Sequence, residues 1–245
     1  MARPREHLEN APIVEAVIDF RVIPQEQVSA EKFADLGLFV GEQYTKKGSI
    51  QSIEAMFGMV HGKPLGTSQT QMDLGFRYQT ESEIAQFRMD GFTFNKIAPY
   101  TTWNEVFDEA FRLWKVYVNV AKPRQVSRVA VRYINRLQLP AVTDLREYLE
   151  APPQLPEPIP QVIQDFLTRV NVSDDKRNAS AVIVQALEPR TDPNAISLLL
   201  DIDAFREVND KLDDTELRLV FEQLRELKNE IFYASVTDKI VEKYA

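Results

Sequence analysis

The chain runs through one order of hydrophobic periods twice, and that repetition restricts its architecture more than any single motif does. In each half a period-two stretch comes first, a short helical stretch second, several aromatic and β-branched stretches third, and a long amphipathic helix last. The first opening stretch, PIVEAVIDFRV (12 to 22), sets Val14, Ala16, Ile18, Phe20 and Val22 against Glu15, Val17, Asp19 and Arg21. That is the alternation of a half-buried strand. Its counterpart at 126 to 139 contains SRVAVRYINRLQL; setting EAVIDF on RVAVRY places Ala16, Ile18 and Phe20 on Val129, Val131 and Tyr133. The reading is an α+β protein of two topologically similar halves, 1–123 and 124–245, that share one extended antiparallel sheet with long helices on one face.

Within the first half, Phe33, Leu36, Val40 and Tyr44 are spaced for a short helix over 29 to 45, which Gly48 separates from the next stretch of chain. Strands are expected at 49 to 61, 70 to 80 and 84 to 97, and Asp90-Gly91 is either a hairpin turn or a bulge in the last of them. Thr102-x-x-Glu105 has capping-box spacing. Behind it Trp103, Val106, Phe107, Ala110, Trp114, Tyr117 and Val118 form the apolar stripe of a helix lying on a sheet, closed by Pro123.

The second half continues with a helical segment at 143 to 150 and the stretch APPQLPEPIP (151 to 160), too rich in proline for regular structure. Strands near 168 to 174, 179 to 188 and 195 to 203 come next. A helix from about Asp214 carries Leu217, Val220, Phe221, Leu224, Leu227 and Ile231 on one face, and Ser235-x-x-Asp238 restarts it.

The central strand places Arg128, Arg132 and Arg136 on its polar face, although the net charge is -8. From Lys122 to Leu139 there are five cations and no acid, leaving about -13 for the rest of the chain. If the two opening strands pair antiparallel about an axis at Val17 and Ala130, Glu15 meets Arg132 and Asp19 meets Arg128. Each such pair contributes roughly 0.2 to 1 kcal/mol. A second reading makes Arg128, Arg132, Arg136, Glu15 and Asp19 a recognition surface, since guanidinium groups suit carboxylates and phosphates. Arg136 has no acid assigned to it. Asn135 shares the apolar parity of Tyr133 and Leu137, so its amide needs backbone partners.

NAPIVEAVIDFRV, PYTTWNEV, RVAVRYINRLQLP and SVTDKIVEKY together resemble a sporadically distributed, uncharacterised family of prokaryotic proteins of about 250 residues. The resemblance spans nearly the whole chain, and its most specific parts are the opening strand and the R-Y-x-N-R block of Arg132, Tyr133, Asn135 and Arg136. It implies a compact stand-alone protein of patchy genomic distribution, often a sign of mobile or defence-related gene neighbourhoods, and it carries no reaction. The element order is also similar to TATA-binding-protein-like and helix-grip architectures, a likeness that does not transfer function.

Composition narrows the chemistry. With no cysteine, disulfides, thiolate catalysis and cysteine-ligated metal centres are excluded. His7 and His61 stand in no metal-ligand spacing, and neither phosphate-binding glycine loops nor a G-x-S-x-G elbow occurs, so no cofactor is expected. Nor is there a signal-peptide stretch or a run of about 18 apolar residues, which makes the expected location cytoplasmic with no membrane partner. Asp201 and Asp203, on one parity of a strand, are the candidates for holding Mg²⁺. These features favour a non-enzymatic binding or adaptor module that engages a protein partner or itself through the exposed sheet face. The alternatives are a metal-assisted phosphoryl-transfer or nucleotide-processing enzyme and a nucleic-acid-binding saddle, the latter disfavoured by the acidic balance.

Overall fold

The computed structural model describes residues 8–25, 28–60, 63–141, 144–189 and 192–245; for 53–60 and 63–71 the description is of the backbone. Among the described residues nine strands form one antiparallel sheet in the order β2-β3-β4-β5-β1-β6-β9-β8-β7. They are β1 (Ile13–Ile23), β2 (Lys46–Val60), β3 (Lys63–Gln79), β4 (Glu83–Arg88), β5 (Gly91–Ile97), β6 (Gln125–Pro140), β7 (Leu167–Asp174), β8 (Ala179–Leu187) and β9 (Ala195–Glu207). The protein is therefore α+β with a single sheet, and its two alternating stretches, β1 and β6, pair antiparallel at the centre.

Their register differs from the one the charge pattern predicts. Val17 lies opposite Arg132 and Asp19 opposite Ala130, a displacement of two residues, with irregularities between Ile13 and Glu15 and between Arg21 and Val22. A two-residue slip leaves every apolar side chain on its original face, so hydrophobic alternation does not distinguish the two registers.

Among the described residues four α-helices accompany the sheet: α1 (Gly37–Val40), α2 (Trp103–Ala121), α3 (Asp214–Ser235) and α4 (Asp238–Tyr244). The expected helix over 29 to 45 is instead a 3₁₀ turn at Ala30–Phe33 followed by the single turn of α1, and Gly48 lies inside β2. Tyr78 explains the break, since its hydroxyl donates to the carbonyls of Phe33 and Ala34 and accepts from the amide of Leu36. Backbone groups satisfied by a side chain are no longer available to continue a helix. Asp90-Gly91 turns the chain between β4 and β5, and a Cβ on Gly91 would collide with the carbonyl oxygen of Phe20. Thr102 caps α2 by accepting from the amide of Glu105 at 3.3 Å, and Lys122 ends it in the left-handed conformation. A full capping box, Asp213 with Glu216, starts α3. Thr237, not Ser235, precedes α4. The segment predicted helical at 143 to 150 is a 3₁₀ turn at Leu145–Glu147, and 151 to 160 has no helix or strand.

The core forms where the apolar faces of β1 and β6 meet the long helices. Phe20 stacks on Trp114 of α2 at 4.2 Å and lies 4.8 Å from the ring of Phe221 of α3. Phe33, Phe87, Phe92, Phe111 and Tyr117 extend the same aromatic cluster. Each such side chain buries roughly 150 to 250 Å², so the cluster needs no disulfide to hold it. A second core, built on Leu137, Leu139, Leu198, Leu200, Phe232 and Ile240, fills the other end of the second half.

Candidate functional site

On the polar face of β6 the three arginines are all engaged. Arg132 donates from Nε and Nη2 to the two carboxylate oxygens of Asp201, at 2.8 and 2.6 Å. Arg128 donates to Asp203 at 3.1 Å, approaches Asp19 at 3.6 Å and Glu207 at 3.8 Å, and lies over the ring of Phe205 at 4.3 Å. Arg136 meets Glu188 with two bonds of 2.7 and 2.9 Å, and Glu188 also accepts from Ser197. The acid row that neutralises the arginines thus comes mainly from β9 and the end of β8. Of the predicted partners, Asp19 remains close to Arg128, whereas Glu15 stands opposite Ile134 and accepts from Asn95 at 2.6 Å. The charge pattern pointed to β1 because β9 lies far along the chain while flanking β6 on its other side.

Asp19 is the centre of a second cluster. It accepts from Thr93 at 2.5 Å, from Arg21 at 3.2 Å and from Arg88 at 3.4 Å; Arg88 also donates to Thr93 and Asp90. Through Arg128 this cluster joins Asp203, so a continuous set of charge-assisted bonds crosses β4, β5, β1, β6 and β9. Burial holds the Asp203 carboxyl above the ordinary aspartate range although Arg128 and Arg132 oppose it. The hydrogen bond to Asp201 raises Arg132, and the hydrogen bonds from Arg136 and Ser197 lower Glu188.

Asp201 and Asp203, the candidate metal ligands, have oxygens already committed to Arg132 and Arg128. Among the described residues no group of three or more His, Cys, Asp or Glu is placed to hold a metal ion. His7 and His61 lie outside the described residues. Asn135 is buried and donates to the backbone carbonyl of Leu200 at 3.0 Å.

The protein also carries a cavity that periodicity and charge pattern do not announce. It measures about 200 Å³ and lies between the start of the described chain, β6 and α3. Lys228 of α3 is buried in its wall, with Nζ 3.6 Å from the centroid of the Tyr133 ring. The hydroxyls of Tyr133 and Tyr100 are 2.8 Å apart. Burial, and secondarily Arg225, lower the Lys228 amine to about 7, while burial raises both tyrosines. A signal was available: Lys228 stands four residues after Leu224 and seven after Phe221, on the apolar stripe itself.

No helix among the described residues is long and apolar enough to cross a membrane. Neither a scan against protein-family models nor a search of curated proteins finds a match for this chain.

Proposed function

We propose that the protein is a non-enzymatic binding or adaptor module that engages a protein partner, or a second copy of itself, through the open face of its sheet. The observation that carries this reading is the row of ion pairs along the polar face, Arg88–Asp19–Arg128–Asp203, Arg132–Asp201 and Arg136–Glu188, in which Arg132 and Arg136 stay nearly half exposed after pairing. Side chains already fixed by internal bonds lose little entropy when a partner docks, which favours recognition by a preorganised surface.

On the same reading the fold is a fused duplication. Outward from the central pair, the strands run β5, β4, β3 on one side and β9, β8, β7 on the other. The proline-rich stretch takes the place of β2 in the second half. Phe20 touches both α2 and α3, which supports placing the two long helices on one face and leaving the other to a partner. At the outer edge, Leu167, Val170 and Val172 of β7 are exposed on a strand without proline, with Arg169 as its exposed charge.

The enzyme and nucleic-acid readings have less support. Asp201 and Asp203 are bound to arginines, and the guanidinium groups that phosphates would need are bound to carboxylates.

Recovery of the tagged protein from its native cell tests the proposal, with the exchanged pair Arg136→Glu/Glu188→Arg as the probe. The exchange keeps an internal ion pair and reverses the surface pattern. A stoichiometric protein or a self-dimer should accompany the natural chain and be lost from the exchanged one at unchanged melting temperature. A lone monomer, or equal recovery by both chains, would refute it.

A further inference from the structure

A buried lysine amine without a carboxylate is an expensive thing to keep in a core. Lys228 has no ion pair and no hydrogen bond among the described residues; its one polar contact is the face of the Tyr133 ring. The titratable and charged groups around it are Tyr133 of β6, Tyr100 ahead of α2, Glu105 of α2, and Glu222, Arg225 and Tyr233 of α3. Glu222 is spent on other groups, accepting from the indole of Trp103 and from Arg225. Arg225 uses only Nη1 in that bond and lies over the Trp103 ring at 5.3 Å. The cavity thus has two basic side chains in its wall, the amides of Asn135 and Asn229 beside them, and apolar walls from Leu8, Ile13, Trp103 and Phe232.

We propose that this cavity binds a small organic acid, with Lys228 and Arg225 as counter-charges for its carboxylate and Ile13, Trp103 and Phe232 as the wall for its apolar body. An anion supplies the charge that the fold omits. Ile13, Trp103 and Phe232 give the hydrocarbon of such an acid an apolar wall that inorganic phosphate, without an apolar body, cannot use.

Binding of the anion stabilises the protonated amine, so uptake of a proton accompanies binding wherever the free amine is neutral. Since the free amine titrates at about 7, affinity should weaken as pH rises above that value.

Calorimetric titration of the full chain tests this with benzoate and hexanoate as probes, and with hexanol and inorganic phosphate as controls. One saturable site is expected for a carboxylate probe, at least about tenfold weaker at about pH 8.5 than at about pH 6, with proton uptake read from buffers of different ionisation enthalpy. Hexanol and phosphate should give no saturable heat. Lys228→Met should abolish the site; if that chain does not fold, Arg225→Gln, at a half-exposed position, should weaken it at least about tenfold. Absence of saturable binding by both acids, equal binding of hexanol or phosphate, or undiminished affinity in the folded variants would overturn the proposal.

Discussion

Arg132 and Asp201 form a two-bond pair across β6 and β9 at 2.8 and 2.6 Å, in which the acid is buried and the arginine half exposed. Loss of the arginine alone strands a buried carboxylate. Arg132→Met should therefore cost about 1 to 3 kcal/mol in urea unfolding. Replacing both partners removes the stranded charge, so Arg132→Met/Asp201→Leu should recover most of that loss. A double variant no more stable than the single one would show that Arg132 contributes by packing and not by satisfying Asp201.

Asp19 accepts from residues of three different strands, which makes it a hub of the polar face. Removing it leaves the buried Arg88 guanidinium with Asp90 and Thr93 only. Asp19→Ala is expected to destabilise by about 3 kcal/mol or more. Asp19→Asn keeps an acceptor for Thr93 and should cost less. Equal midpoints for the natural and Ala chains in equilibrium unfolding would refute the assignment.

How much of this was legible in the sequence depends on which period carried the information. The pairing of β1 with β6 follows from two clean period-two stretches, and α2 and α3 from apolar stripes with acceptor residues at their caps. The acids facing Arg132 and Arg136 were not legible, because Asp201 and Glu188 reach them through strand order, and strand order leaves no trace in local periodicity. Tyr78 likewise ends a helix from more than forty residues away. Lys228 is the opposite case: its place on the stripe was readable, but a lysine there looks like a solvated residue until its depth is known.

Phe20 packs against Phe92, Phe111, Trp114 and Phe221 at once. Phe20→Ala should cost about 3 to 5 kcal/mol, since rings held by a sheet and two helices cannot close the space left behind. Because Trp114 stacks directly on Phe20, the substitution should also change tryptophan emission in the folded state. A loss under about 1 kcal/mol would mean that the cluster relaxes as a loosely packed core does.

Lys228 gives the chain a pH dependence of unusual sign. In the unfolded chain its amine titrates near the ordinary value of 10.5, and in the folded chain near 7. Between those values the unfolded state binds a proton that the folded state does not, so stability contributed at this site rises with pH across the interval. It is fully present above 10.5 and is lost progressively as pH falls to about 7. Replacing the amine with an apolar side chain of similar length removes this dependence. Lys228→Met should stabilise the protein by about 1 to 4 kcal/mol at neutral pH, and the gain should shrink steadily as the medium is made more alkaline. Urea midpoints for the two chains, taken across that interval, check both the sign and the slope. Parallel curves would place the Lys228 amine in contact with solvent in the folded protein and remove the physical basis of the buried cation.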